Sequence, residues 1–530
     1  MVPRWHSPNV AAEKGERNSN LTKASKLPLR AAKWISRLES TPDQYRDRHL
    51  AVEIAESKFV GGRANEIEWG PGLERLQRLW AVAASARVND DRETPKPVHP
   101  RDQAKSGVGK ARSIIRDNPR HPLAWSELSR NYLILGQEEK AVDAMWSALH
   151  LAHGNAYVTG AAARLFVHIR EPDQALYVIR KSNLAKSDPR ILAAEISLAD
   201  STRMKGNWAA AALRMVTDAR YRATFVSDLT AAMATLEMDH GKHKRARQLF
   251  ADSMHSPSEN SLAQTQWASE KDRKIVIPTA AWDVPGSDEA RAMAARVRHD
   301  WDGVLDASEA WLASEPFAAR PAAMASFASF TSEQNIRSEE IASRALVAHP
   351  DDSLLLNNRS VARAYQGDAA GALDDVAMAL KQTELRADYP VLYATLGLAA
   401  YRGGAPDTGS DCYVRAIEEL TKAKRLKTAV LASLFWIREE LRLDPLSSTT
   451  LGMFDQIKKS VPRITKGERN PEIDSMLEYL DGYTSNFELY HLHPVASGGD
   501  DTGRIIDLAQ TYLPARESEL SPADLLSHGI

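Results

Sequence analysis

The chain has 530 residues, more than one hydrophobic core usually organises, so it is either several domains or one long repeat array. Its apolar share of 43% and charged share of 26% are those of a globular protein, and a formal net charge of -2 excludes a bulk field that gathers nucleic acid or anionic membrane. A single cysteine, Cys412, excludes an internal disulfide and a multi-thiolate zinc site, and the expected location is a reducing cytoplasm.

Residues 1–30 are polar and interrupted by Pro3, Pro8 and Pro28, so they are expected to form a disordered tail. This stretch has no apolar run of the length a secretory signal needs. Nowhere does the chain hold the ~18 consecutive apolar residues of a membrane span, so no membrane association is expected. Over 31–90, Trp34, Ile35 and Leu38, then Leu73, Leu76, Leu79 and Trp80, fall at helical spacing around the turn-rich Gly61–Gly62 and Gly70–Pro71–Gly72. These predict a small helical N-terminal piece. The charged, proline- and glycine-bearing segment 91–109 reads as a linker.

Beyond it, alanine-rich amphipathic segments about a dozen residues long follow one another with short turns, and none alternates like a strand, so the fold class is all-α. The segments recur in pairs. Trp125, Leu128, Ser129 and Tyr132 share a helical face, Gly136 ends that helix, and Ala141, Met145 and Ala148 mark the next. Similar slots hold Ala162, Ala163, Phe166, Ala175 and Ile179, then Leu198, Gly206, Trp208 and Ala211, then Met233, Gly241, Ala246 and Phe250. A first array over 110–260 follows. Residues 261–286 break the period with one helix around Leu262 and Trp267 and an extended KIVIPTAAW, which predicts an insertion or hinge. A second array over 287–442 carries Trp301 with Pro316, Phe327 with Ala345 and Pro350, LNNRSVARAYQGDAAGALDDVAMAL, and Tyr393, Leu396, Gly397, Gly404, Tyr413 and Ala416, closed by a helix in AVLASLFWIREELRL. Residues 443–530 read as a weakly ordered tail with weak helices around FDQIKKSV and SMLEYLDGY.

Period, slot chemistry and paired helices over about 122–423 resemble the tetratricopeptide repeat family, whose repeat is ~34 residues long. The resemblance implies a right-handed helical-hairpin superhelix that binds another protein, as scaffold or adaptor, in the concave groove lined by the first helix of each pair. Projected on that geometry, Arg130, Arg164, Arg203, Asn357, Tyr365 and Tyr401 lie on the inner face. Guanidinium forks suit carboxylates and carbonyls, and tyrosines supply contact area at low entropy cost. The alternative for these arginines is pairing with acids such as Glu195 and Asp200 to hold neighbouring repeats together. The Lys and Asn combination with which some family members clamp a C-terminal carboxylate is missing.

Chemistry for catalysis is not evident. Gly107–Val108–Gly109–Lys110 lacks the leading glycine and the closing Ser or Thr of a phosphate loop, with Ala104 and Ala111 in those places. His491 and His493 have no companions for a tetrahedral metal, and no cofactor is expected. Cys412 sits among small helical residues, as a buried hydrophobe does. Two basic clusters, Lys242, Lys244, Arg245 and Arg247, and Lys422, Lys424 and Arg425 with Lys427, support a second reading as a nucleic-acid-associated subunit, against the plainer one of solvated helix faces. A third reading places an enzyme site in the unmatched ends. The alanine-rich, arginine-favouring style suggests a bacterial protein, and nothing in the residues fixes the oligomeric state.

Overall fold

The computed structural model describes residues 100–201, 208–218, 220–383, 388–467, 470–485 and 502–514. Among them are 22 α-helices, two short 3-10 turns and no strand, so the described part of the chain is all-α. It divides into two compact units, Met1–Ala290 with Ala313–Phe317, and Arg291–Leu312 with Ala318–Ile530.

In the first unit the described helices are α1 (Pro100–Asp117), α2 (Pro122–Ile134), α3 (Glu138–Ala152), α4 (Ala156–His168), α5 (Pro172–Ser182), α6 (Pro189–Ser201), α7 (Ala209–Thr217), α8 (Ala223–Asp239), α9 (His243–Ser253) and α10 (Glu259–Lys271). Each helix of the pairs α2–α3, α4–α5 and α8–α9 packs on its partner, and α2 also touches α4, the next helix but one. The segment read as a linker is helical from Pro100. Proline at the first helical position and Asp102 in the first turn favour a helix start, and Ala104 and Ala111 lie buried on one face. Gly107 is a point of close approach here, since a Cβ on it would come within 2.3 Å of the Asn131 side chain on α2. The expected insertion is helix α10, extended backbone over residues 275–278 and a 3-10 turn at Thr279–Asp283.

The second unit contains α13 (Ala319–Thr331), α14 (Asn335–Ala345), α15 (Ser353–Gln366), α16 (Ala369–Gln382), α17 (Tyr389–Arg402), α18 (Pro406–Lys422), α19 (Leu426–Leu443), α20 (Ser448–Ile464), α21 (Pro471–Ser485) and α22 (Thr502–Tyr512), while α11 (Asp288–Val297) and the end of α12 (Trp301–Ser314) cross the boundary. Neighbours α13–α14, α15–α16 and α17–α18 pack as pairs, and the series α13, α15, α17, α19, α21 touches in turn. Those five helices therefore share one side. The stretch expected to be weakly ordered contains α20 to α22, because its apolar residues recur at helical spacing: Phe454, Ile457, Val461, Ile464, Ile473, Leu480 and Tyr483 are buried. Ile505 on α22 is buried against α16 to α18, and Arg415 donates to the Pro514 carbonyl at 2.6 Å.

Local chemistry explains the hairpins. Gly136, Gly241, Gly367 and Gly404 take the left-handed backbone that ends a first helix, and Arg170, His299, Glu333 and Lys424 adopt it at a cost of about 1 kcal/mol each. Asn155 and Asp352 cap the helices that follow by accepting two backbone N–H bonds each. A serine hydroxyl ties the two helices of a pair twelve residues apart: Ser129 to the Ala141 carbonyl at 2.7 Å, Ser360 to Ala372 at 2.8 Å and, in reverse, Ser338 to Ser326 at 2.8 Å.

Candidate functional site

The shared side of α13, α15, α17 and α19 holds a concave pocket of about 160 Å³. Phe327, Val361, Leu398 and Leu431, one from each helix, give it apolar walls, and each has a lining neighbour three or four residues away on its own helix: Phe330, Asn357, Thr395 and Phe435. Asn357 supplies polarity and accepts a 2.6 Å hydrogen bond from the Thr395 hydroxyl. At one side Phe330 and Phe435 face each other with ring centroids 6.3 Å apart, and Phe330 meets Tyr365 at 5.0 Å.

One helical turn beyond these rings the inner face becomes cationic. Glu439, fully buried, is held by Arg402 at 2.8 Å and by Arg442 at 3.1 Å, and both guanidiniums are themselves nearly sealed from solvent. Arg438 lies between two rings, 4.5 Å from the Tyr365 centroid and 4.4 Å from that of Tyr479, and Arg402 is 4.7 Å from Tyr365. Burial pushes the Tyr365 phenol up to about 12, which keeps it neutral, and its hydroxyl has no hydrogen-bond partner among the described residues. The ends of the unit also meet: Trp301 Nε1 donates to Ser475 Oγ at 3.1 Å, and Arg296 lies 3.3 Å from Glu472.

Of the six groove residues expected from the sequence, Asn357 lines this pocket and Tyr365 stands beside it. Tyr401 belongs elsewhere. It is 1% exposed at the α17–α18 contact, and its hydroxyl donates to Glu440 and accepts from Trp436 Nε1 at 2.9 Å. One residue is a 100° rotation on a helix, and the side chain four places after Leu398 on the inner face is Arg402. Arg130 and Arg164 line a smaller cavity of about 70 Å³ in the first unit with Tyr157 and Phe317. Arg130 is partly exposed and 3.4 Å from Glu127; Arg164 is largely buried, ion-paired with Glu315 and 5.1 Å over the Phe317 ring. Arg203 lies outside the described residues, as do His491 and His493. Arg402, Arg438, Glu439, Tyr479, Phe330 and Phe435 were missed, although Leu398 with Arg402 and Leu431 with Phe435 keep the i, i+4 spacing that could have found them.

The basic clusters are mostly paired. Lys242 sits 2.9 Å from Glu237, Arg247 2.7 Å from Asp272, Lys422 3.0 Å from Glu419 and Arg425 3.8 Å from Asp388. Lys244, Arg245 and Lys424 are exposed. The hydrogen bond from Arg247 holds the Asp272 carboxyl below the usual range. Gly107–Val108–Gly109–Lys110 lies inside α1, where the backbone N–H groups serve the helix rather than a phosphate. Cys412 is fully buried, and burial pushes its thiol up to about 12. Among the described residues no three His, Cys, Asp or Glu side chains gather as a metal site, and no helix is long and apolar enough to cross a membrane.

A second buried ionisable group lies in the first unit. Asp228 on α8 accepts a hydrogen bond from Ser258, the capping residue of α10, and burial pushes its carboxyl up to about 7 against the opposing effect of that bond. Ser227 beside it donates to the Ser253 carbonyl and accepts from the Ser261 hydroxyl, both at 2.7 Å. No model of a known protein family and no curated protein sequence matches the chain.

Proposed function

We propose that this protein is a tetratricopeptide-like scaffold or adaptor whose second unit holds an extended segment of a partner protein on the inner face of α13, α15, α17 and α19. The observation that carries the reading is the apolar pocket built by Phe327, Val361, Leu398 and Leu431 on helices that touch in series. Helical-hairpin arrays place their first helices on such a surface and use it for recognition. A pocket with apolar walls and a few amides and hydroxyls suits side chains of a peptide, because apolar area supplies affinity and Asn357 and Thr428 supply direction. Nothing comparable supports the nucleic-acid alternative, since four of its eight basic residues already face a carboxylate. A cytoplasmic site of action goes with this reading.

The test is a photo-reactive amino acid placed at Leu431 on the inner face, with Met378, exposed on α16, as the outer-face control. A discrete protein adduct at position 431 and none at 378, in the cell of origin, is the expected result. Equal labelling at both positions, or none at 431, would sink the proposal.

A further inference from the structure

Arg438 is the one guanidinium of the inner cluster without an ion pair among the described residues; Glu439 and Glu333 favour its charge from further off. Its guanidinium carbon lies over the rings of both Tyr365 and Tyr479, and its Nε has no hydrogen-bond partner. Glu439, the nearest acid on its own helix, is already shared by Arg402 and Arg442. Ring stacking satisfies the faces of a guanidinium through the quadrupole of the rings and leaves its edge, with the N–H donors, uncommitted. Glu439 and Glu333 offset the burial of this charge from a distance, and an anion placed directly against its N–H donors would add to that. Tyr365 adds an unpartnered hydroxyl at the same place.

We propose that this edge, with the Tyr365 hydroxyl, is the specificity subsite of the groove, and that it takes the carboxylate of an Asp or Glu side chain in the partner peptide. This rests on the groove reading above and adds the chemistry of what is read. A carboxylate fits because its two oxygens match one fork of a guanidinium. A phosphate carries nearly twice the charge, and the two neighbouring arginines are committed to Glu439. Leu431 and Arg438 are two turns apart on α19, about 10 Å along the helix axis. An extended or polyproline-like segment spans that distance in roughly three residues. The expected motif is therefore a large apolar residue followed or preceded, about three positions away, by Asp or Glu, with the backbone crossing the Phe330 and Phe435 rings.

Selection of a displayed library of random twelve-residue peptides against the full chain tests this. Enrichment of an apolar residue and an acid at that spacing is expected, with at least tenfold weaker binding when the acid in the synthetic peptide is replaced by Gln or Asn. Tyr365→Phe, which keeps the ring that covers Arg438, is expected to weaken the acidic peptide severalfold and leave its amide counterpart unchanged; Arg438→Gln is expected to abolish the difference between the two. Peptides that bind, are displaced by Leu431→Glu and show no preference for an acid would overturn the carboxylate inference and leave the groove reading intact. Recovery of no peptide sensitive to Leu431→Glu would overturn both. Because the decisive change is made in the peptide, a variant that fails to fold does not obscure the answer.

Discussion

Among the buried ionisable groups, two make an instructive contrast: the carboxyl of Asp228 in the first unit, and the guanidiniums of Arg402, Arg438 and Arg442 in the second. The difference is chemical. A carboxyl whose proton leaves near pH 7 can sit neutral in an apolar setting with one serine for company. An arginine stays charged at any physiological pH, so its surroundings must supply anions or aromatic faces. Glu439, Glu333 and the Tyr365 and Tyr479 rings supply them, and Arg438 alone among the three has no direct ion pair, which is the ground for the binding proposal in the second unit. The two described arginines expected on the inner face of the first unit are both ion-paired, Arg164 with Glu315 and Arg130 with Glu127. A buried charge thus points to a ligand only when it can neither titrate nor pair.

The strongest way to break this comparison is Glu439→Gln. It removes the one fully buried anion between two nearly sealed guanidiniums, and loss of a buried partner costs about 3–5 kcal/mol. The unfolding transition of the second unit, followed by denaturant titration of the full chain, should shift by that amount. A change below about 1 kcal/mol would mean that water, rather than Glu439, compensates the arginines.

Asp228→Asn is expected to act next most strongly and in the opposite direction. The carboxyl has a folded-state value of about 7 against an ordinary 3.8, so the folded chain holds the proton more tightly than the unfolded one. That contribution is fully present below about pH 4 and is lost as pH rises through 7, at a rate of ~1.4 kcal/mol per pH unit between the two values. Asparagine keeps the acceptor for Ser258 and has no proton to lose. The variant should match the parent near pH 4 and exceed it by a few kcal/mol above pH 8, as read from thermal unfolding of the first unit. Equal pH dependence in the two proteins would show that Asp228 reaches water.

Packing in the second unit gives a smaller effect. Gly397 and Gly409 are where α17 and α18 come closest: a Cβ on Gly409 would lie 2.6 Å from the Tyr401 ring and one on Gly397 2.8 Å from the Tyr413 ring. Gly409→Ala should cost about 1–3 kcal/mol, visible as a lower midpoint in urea. No change would mean that the two helices separate freely, which the buried rings of Tyr401 and Tyr413 argue against.

Helices and their pairing were legible because Leu and Ala recur at helical spacing and because Gly136, Gly241, Gly367 and Gly404 mark turns. Composition misled at 100–109, where glycine serves helix contact rather than flexibility, and after 443, where polar residues between Phe454, Ile457 and Val461 hide an amphipathic face. The site was legible only in outline. Asn357 and Tyr365 were found from repeat register, but a one-residue error put Tyr401 in the place of Arg402. The charge balance was out of reach, because Glu439 meets Arg402 from another helix pair and Glu315 meets Arg164 from far along the chain. Only tertiary structure decides which arginine is left over.

The smallest expected effect sharpens the comparison from the other side. Arg130 lies on the inner face of α2, 37% exposed, in an i, i+3 pair with Glu127. Exposed pairs of this kind contribute about 0–1 kcal/mol, since solvent screens the attraction and two long side chains lose freedom. Arg130→Ala should therefore move the midpoint of the first unit by no more than about 0.5 kcal/mol and leave peptide binding unchanged. Should it instead abolish binding while the unfolding midpoint holds, the working surface would lie in the first unit, and the unpaired cation at Arg438 would have to be read as a structural cost with no ligand behind it.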